Sequence, residues 1–445
     1  MPLAVISDSE GKVIFMKFDF LHPADQIVMI MDRIYAHGMT TTSGGNLSVK
    51  DDDGDIWISP AGVDKGSLTR KDIVCVKANG TVEGIHRPSS EFPFHKSIYQ
   101  KRADLKAVLH AHPPALVAFS IVRKMPSIDL LPDIREVCGQ VAMAEYGLPG
   151  SVDLGEKIAE KFSKGINSVL LENHGIVVGA GTLFKAFMSF ETLDFCARLE
   201  IAANRMGSVQ FLSQRQLALT SQKKDLLPET FRPTGVSSAE RAARREMVEL
   251  IHRAYTQRLI SSSQGTFSNR TNGSNFIITP VNLDRKYLQV EDLVRIENGK
   301  CELGKFPSRS MRLHQKIYEK CPEINSIIIA HPPSMMVFAV TDVPFDSRTI
   351  PESYILLRAI TKMPFGSNFL DIDGTADQLS AKTPIVMMSN DCFIVTGHTL
   401  LSAFDRLEVA EYSAKAIISA RSLGAIISIN DCQVAELEKA FHLES

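Results

Sequence analysis

The sequence predicts two tandem lobes of a layered α/β fold, each built on a mixed, mostly antiparallel sheet. Three observations carry this. A series of short phrases is written twice in the same order, helical and strand periodicities alternate within each copy, and short hairpin turns join the strand-like runs.

The duplication is read directly from the chain. VLHAHPP at 108–114 returns as IIIAHPP at 327–333. TTSGGNLSVK (41–50) matches SSQGTFSNR (262–270), and IWISPAGVDKGSLTRKDIV (56–74) matches FIITPVNLDRKYLQVEDLV (276–294). RPSSEFPFHKSIYQK (87–101) matches FPSRSMRLHQKIYEK (306–320), and HGIVVGAGTLFKAF (174–187) matches DCFIVTGHTLLSAF (391–404). The offset stays between 217 and 220. The seam is polar and carries Pro228 and Pro233. We expect a first lobe over 1–206, a linker over 207–238 and a second lobe over 239–445, each lobe of roughly 200 residues and able to close its own core.

Within the first lobe the elements follow in order. An amphipathic helix, ADQIVMIMDRIYAHG, ends near Gly38, a C-cap residue. NLSVK and IWISP read as strands around the acidic turn DDDGD, which lacks the further ligands of a calcium loop and reads as a hairpin. Glu91 opens a helix, EFPFHKSIYQKR. AVLHAH is a strand-like run, and SVLLENHGIVVGA is a pair of such runs broken at Asn173–Gly175. The helix TLFKAFMSFETLDFCARLEIAANRM closes the lobe, with Phe184, Phe187 and Phe190 at core spacing. Arg241, Arg244 and Arg245 read as a solvated face of the next helix.

Composition excludes several function classes. The chain has 445 residues, a formal net charge of −2 and 22% charged residues, so no basic surplus points to nucleic acid. Seven scattered cysteines, an odd number without a C-x-x-C pair, argue against a disulfide framework. The N-terminal MPLAVISDSEGKVIF lacks the build of a signal peptide, and no run approaches a membrane span. We expect a cytoplasmic protein without a membrane or nucleic-acid partner.

The chemistry gathers around His110 and His112. Residues i and i+2 of a strand project from one face, so the two imidazoles can share one metal ion at about 2.0–2.1 Å per bond. Two strand-end histidines satisfied by hydrogen bonds fit the same pattern. His174, in the turn ENHG, supplies a third nitrogen and leaves a fourth position open for water or substrate. Glu91, in PSSE at a helix start, is the natural carboxylate to share that position. The glycine-rich turn at Gly44-Gly45-Asn46 and the turn Ser59-Pro60-Ala61-Gly62 can cradle a phosphate or be simply turns, and Ser89 and Ser90 add hydroxyls beside Glu91. His95, one turn after Glu91, reads as a surface residue or a support for the ligands, and Tyr146 as a packing residue.

With SGGN, SPAG, SSE, HAH and NHG in order, the first lobe resembles the class II aldolase/adducin family across about residues 20–205, and the second lobe resembles it more weakly. The resemblance implies an α/β/α sandwich, with His110, His112 and His174 as zinc ligands. Glu91 would be the catalytic acid/base that also touches the metal, and Asn46, Ser59, Gly62, Ser89 and Ser90 the phosphate-binding set. It implies one divalent metal per chain in the first lobe, with zinc favoured by three imidazoles. The reaction implied is lyase chemistry of the aldolase type, cleaving a C–C bond of a small sugar phosphate through a metal-stabilised enediolate. Decarboxylation of a phosphorylated keto sugar acid, dehydration, and a non-enzymatic adducin-like scaffold are the alternatives. One departure bears on this choice. Fuculose-phosphate-type aldolases supply a tyrosine from the segment after the H-x-H strand, and here MPSIDLL puts Leu130 in that place.

In the second lobe Glu91 corresponds to Ser310, His110 to Ile329, His174 to Asp391, Asn46 to Thr266 and Gly62 to Asn282, while His331 remains. We expect this lobe to bind no catalytic metal and to serve as a structural partner. A homodimer would then mimic a family tetramer of lobes.

Overall fold

The computed structural model describes residues 6–7, 13–14, 17–220 and 228–443. The N-terminal stretch read against a signal peptide lies largely outside the described residues, as do 221–227 of the expected linker. The chain separates into two compact units. One takes the residues up to Ile128 together with Asp133–Ile201, and the other takes Asp129–Pro132 together with Ala202 onwards.

A short hairpin, β1 (Ile6–Ser7) with β2 (Val13–Ile14), comes first. The first lobe is built on β3 (Asn46–Lys50), β4 (Ile56–Ile58), β5 (Val74–Val76), β6 (Val82–Glu83), β7 (Ala107–Ala111), β8 (Val141–Ala144), β9 (Ser168–Leu171) and β10 (Gly175–Ala180). They lie side by side in the order β6-β5-β4-β3-β7-β10-β9-β8, every pair antiparallel except β8 with β9.

The second lobe uses β11 (Thr230–Phe231), β12 (Thr266–Asn272), β13 (Asn275–Ile278), β14 (Val294–Glu297), β15 (Lys300–Glu302), β16 (Ser326–Ala330), β17 (Thr361–Met363), β18 (Ile385–Met388) and β19 (Phe393–Gly397). Its order is β11-β15-β14-β13-β12-β16-β19-β18-β17. This is the first sheet again, with β11 added in parallel at one edge. The registers repeat as well: Asn46 faces His110 across β3–β7, and Thr266 faces Ile329 across β12–β16.

Local chemistry sets the helix ends. The helix Pro23–Ala36 starts on a proline, where the missing N–H is harmless, and His22 Nδ1 accepts from Ala24 N. Gly38 follows it at φ +64°, a left-handed terminator. In the second lobe Ser237 Oγ caps the helix Ser238–Thr256 by accepting from Glu240 N. There the left-handed position falls to Arg258, at φ +61°.

The core lies on both faces of each sheet. On one face of the first, Val108, Val169, Leu171 and Val177 pack with Phe94 and Ile98 of the helix Phe92–Lys101 and with Leu154, Ile158 and Phe162 of the helix Val152–Ser163. Phe184, Phe187 and Phe190 are buried, as their spacing predicts. Arg244 differs from the solvated reading: it is buried, with its guanidinium on Glu240, on the Leu293 carbonyl and on Glu302. A helical face rich in arginine hides one residue when carbonyls and carboxylates can satisfy all its donors. None of the cysteines forms a disulfide among the described residues, and no described helix is long and apolar enough to cross a membrane.

Phe162 is fully buried in the first lobe's core. Truncating it, F162A, is expected to destabilise that lobe by about 3–5 kcal/mol. In urea unfolding, the transition assigned to the first lobe should move to lower denaturant, and the second should stay in place.

Candidate metal centre

Three chain segments meet at the exit of β7. His110 is on the strand, paired with Asn46 of β3 on one side and Val177 of β10 on the other. His112 stands one residue past the strand end, before Pro113 and the helix Pro114–Ile121. His174 sits in the turn between β9 and β10, where Asn173 takes φ +54° and His174 N donates to Leu171 O at 3.1 Å. Asparagine tolerates this left-handed conformation better than most residues, so the turn is tight enough to aim the next side chain back at the strand. Glu91 reaches the same place from the head of the helix Phe92–Lys101.

The rings converge. Centroid separations are 4.7 Å for His110–His112 and 4.9 Å for each of these rings with His174. One nitrogen from each lies within 4.8 Å of the others. Glu91 Oε2 is 3.3 Å from His110 Nε2, and Oε1 is 3.7 Å from His174 Nε2. His110 and Glu91 are buried.

Protonation follows from burial. Burial, with His174 as the next cause, pushes the His110 pKa down to about 3. His112 is pushed down to about 3 by burial and then by His110 and His174. Burial lowers His174 too, against the opposing pull of Glu91. The rings are neutral at neutral pH, so each carries one lone pair. His110 Nδ1 donates to Ile176 O at 2.9 Å, which fixes the tautomer and leaves Nε2 as the lone-pair donor.

These residues fit a divalent cation. His110 Nε2 and His112 Nε2 are 3.0 Å apart. Two nitrogens on one tetrahedral zinc would be about 3.3 Å apart, given bonds of about 2.0–2.1 Å. Glu91 Oε1 and His174 Nδ1 are buried without a hydrogen-bond partner. A buried unpaired carboxylate oxygen is costly unless something positive satisfies it.

Two glycines make the convergence possible. A Cβ on Gly44 would lie 2.8 Å from His112 Nδ1, and one on Gly175 would lie 2.5 Å from the Ala111 carbonyl and 2.6 Å from the His112 ring. The SGGN and NHG motifs owe these glycines to close approach.

The oxygen and amide groups around Glu91 form one connected set. Asn46 Nδ2 donates to Glu91 Oε2 at 2.7 Å. Ser59 Oγ accepts from Leu47 N at 3.1 Å, Ser89 N donates to Ser59 O at 3.2 Å, and Ser89 Oγ accepts from Glu91 N at 3.3 Å. Gly62 (φ +68°) and Ser90 are exposed. Thr279 Oγ1 accepts from Phe267 N at 3.1 Å in the second lobe as Ser59 does in the first, so this hydroxyl braces the hairpin in both.

His95 is fully buried, which corrects the surface reading. Its Nδ1 is 2.7 Å from Ser48 Oγ, its Nε2 meets Asn46 Oδ1, and Ser48 Oγ is also 2.7 Å from Tyr99 OH. The signal was in the spacing. Asn46 and Ser48 share one strand face, and Glu91, His95 and Tyr99 share one helix face. Tyr146 is also corrected: it is 58% exposed, in the segment that follows β8. Leu130 is fully buried, and its carbonyl accepts from Asn390 Nδ2 at 3.0 Å within the second unit.

In the second lobe the equivalent positions hold different chemistry. Ile329 faces Thr266, Thr266 Oγ1 is 2.8 Å from Ser308 Oγ, and Ser308 Oγ is 3.1 Å from Ser310 Oγ. Asp391 accepts from Asn368 Nδ2 at 2.9 Å, and Asn390 repeats the left-handed turn of Asn173 at φ +53°.

One family model matches both lobes. Residues 25–201 and 245–418 each match the Class II Aldolase and Adducin N-terminal domain. The L-fuculose phosphate aldolase of Methanococcus maripaludis is 33% identical over 179 residues, 40% of this chain and 93% of that protein. The 3-oxo-tetronate 4-phosphate decarboxylase of Pectobacterium atrosepticum is 32% identical over 178 residues, 39% of this chain and 81% of that protein. A solved L-fuculose 1-phosphate aldolase structure is 31% identical, covering 45% of this chain and 94% of its own at a TM-score of 0.41.

Two outcomes follow from the packing and the ring charges. G44A should fold yet hold added divalent metal at least about tenfold more weakly than wild type in chelator competition, because its methyl group displaces the His112 ring from the cluster. The metal-free protein should lose stability as pH falls. Histidines titrate near 6.5 when unfolded, whereas folded His110 and His112 resist protonation down to about 3. Between those values the unfolded chain binds more protons, so stability rises with pH across the window and drains away on acidification. Calorimetry of chelated protein from pH 7.5 to 4 reads this as a falling melting temperature, and a flat profile would show that the rings are solvated.

Proposed function

Since this chain belongs to the class II aldolase and adducin N-terminal domain family, we propose that its first lobe is a divalent-metal-dependent lyase acting on a small phosphorylated sugar or sugar acid. A fold hosts many activities, so the argument rests on the site. The observation that carries it is the meeting of three neutral imidazoles and one carboxylate with an unpaired oxygen at the end of β7. A scaffold has no use for such a set, since burying it without a ligand is costly.

A bound divalent ion would supply Lewis-acid polarisation of a substrate carbonyl and stabilise the negative charge that builds as the bond breaks. His110, His112 and His174 would hold it, and zinc suits three imidazoles. Glu91 is placed to move a proton. Asn46 steadies its Oε2, while Oε1 is left without a hydrogen bond. Asn46, Ser59, Gly62, Ser89 and Ser90 would receive the phosphate, with the amides at the head of the helix Phe92–Lys101 favouring an anion. Ser59 would do so through its hydroxyl hydrogen, because its oxygen already accepts from Leu47 N.

Aldol cleavage is the leading reaction and decarboxylation the second. The second has a specific support: the buried apolar Leu130 stands where fuculose-phosphate-type aldolases place a tyrosine, so the hydroxyl that must give up its proton as the aldehyde forms finds no phenol partner from that segment. Decarboxylation has no such hydroxyl to deprotonate. A screen of ketose phosphates and keto-acid phosphates, with and without chelator, separates the two by release of an aldehyde or of carbon dioxide. Failure of every such substrate with metal-loaded protein would sink the lyase proposal.

The second lobe, with Ser310, Ile329 and Asp391 in the ligand positions, would act as a structural partner across 239–445, joined to 1–206 by a linker at 207–238. A homodimer would then present four lobes and two working sites. Elemental analysis should give one metal per chain and sizing a dimer. Two metals per chain would overturn the division of labour, and a monomer the assembly. E91Q is expected to keep one metal per chain, held less tightly than in wild type, and to lose turnover by at least about a hundredfold, the scale of a general acid–base.

A further inference from the structure

Both lobes bury the same three-residue network between sheet and helix. In the first it is Ser48, His95 and Tyr99; in the second it is Ser268, His314 and Tyr318, with Ser268 Oγ 2.6 Å from both His314 Nδ1 and Tyr318 OH. A network present with and without the metal ligands is part of the fold. The two copies differ at the imidazole Nε2 end. His95 Nε2 meets Asn46 Oδ1, and Asn46 Nδ2 holds Glu91 Oε2 at 2.7 Å. His314 Nε2 is buried without a hydrogen-bond partner, because the residue in place of Asn46 is Thr266, whose hydroxyl bonds to Ser308 instead.

The first-lobe chain has one consistent direction. Ser48 Oγ–H donates to His95 Nδ1, Nε2–H donates to Asn46 Oδ1, and the Asn46 amide must then turn its N–H toward a carboxylate that can only accept. An asparagine with no such partner could flip and present its own oxygen to Glu91, which would repel the carboxylate. We propose that His95 is a positioning residue: acting through Asn46, it fixes the amide so that Glu91 is held against the three-imidazole cluster. The second N–H of Asn46 stays available to a phosphate. The proposal rests on the reading of that cluster as a metal site.

Cobalt(II) added to the metal-free full-length protein tests it, with chelator competition giving affinity and the visible ligand-field bands reporting the ligand set. H95L should weaken binding about 10- to 100-fold, as loss of an outer partner does, and should shift the bands. H95Q, whose amide nitrogen can reach the place of Nε2, should recover most of both. H314L removes the equivalent buried ring; it should lower the melting temperature much as H95L does and leave affinity and spectrum unchanged. Wild-type affinity and spectrum in H95L would overturn the proposal, as would equal losses in H314L. If H95L fails to fold, N46L cuts the chain at its next link, with the same loss expected and wild-type behaviour overturning the idea. Wild-type protein that takes up no Co2+ would instead overturn the metal-site reading, and the proposal with it.

Discussion

Everything at the site depends on keeping three imidazoles neutral in a largely buried place. A buried ring gives up its proton because the charged form is poorly solvated, and each neighbouring ring adds to the effect. That same desolvation prepares a lone pair for a cation and leaves an unpaired carboxylate oxygen beside it. The arrangement is unfavourable for the fold alone and favourable once a positive charge arrives. A bound cation would therefore couple binding to folding here and supply part of the stability of this corner of the sheet.

Close approach is the second constraint. β7 is central in its sheet, so its exit is flanked by the loop before β3 and by the turn before β10. Both flanking segments put a glycine against the His112 ring. A strand end alone would leave H-x-H at the surface with its nitrogens in water. The neighbouring backbone closes over the pair and converts a surface doublet into a three-ring cluster.

Much of this was legible in the sequence. The doubled phrases gave the two lobes, and a period of two along AVLHAH placed His110 and His112 together. The Gly-His turn indicated a side chain aimed off a hairpin. Other features were hidden because they depend on tertiary partners. Nothing in the spacing of Arg244 says that the Leu293 carbonyl and Glu302 will be there to receive it. Tyr146 reads as packing because aromatic residues usually pack, yet the residue is exposed. His95 was read alone, one turn from Glu91, whereas its meaning comes from pairing a helix face with a strand face. Each periodicity was visible; their juxtaposition was not.

The second lobe shows how such a site comes apart. One imidazole fewer would hold a cation less well and leave the buried carboxylate without a positive partner, a strongly unfavourable state. The substitutions relieve that together. The carboxylate position becomes Ser310, which joins a hydroxyl chain with Ser308 and Thr266, and the ring position becomes Ile329, which packs in the core. Thr266 faces Ile329 across β12–β16 as Asn46 faces His110 across β3–β7, so the amide that steadied the carboxylate went with the ring it faced. What stays is what the sheet and helix need from one another: the apolar face, the left-handed asparagine of the turn, and the Ser–His–Tyr network with one imidazole nitrogen left unpartnered. That nitrogen stands where His95 Nε2 meets Asn46 in the first lobe, and the difference separates the part of the network common to both lobes from the part that reaches the carboxylate.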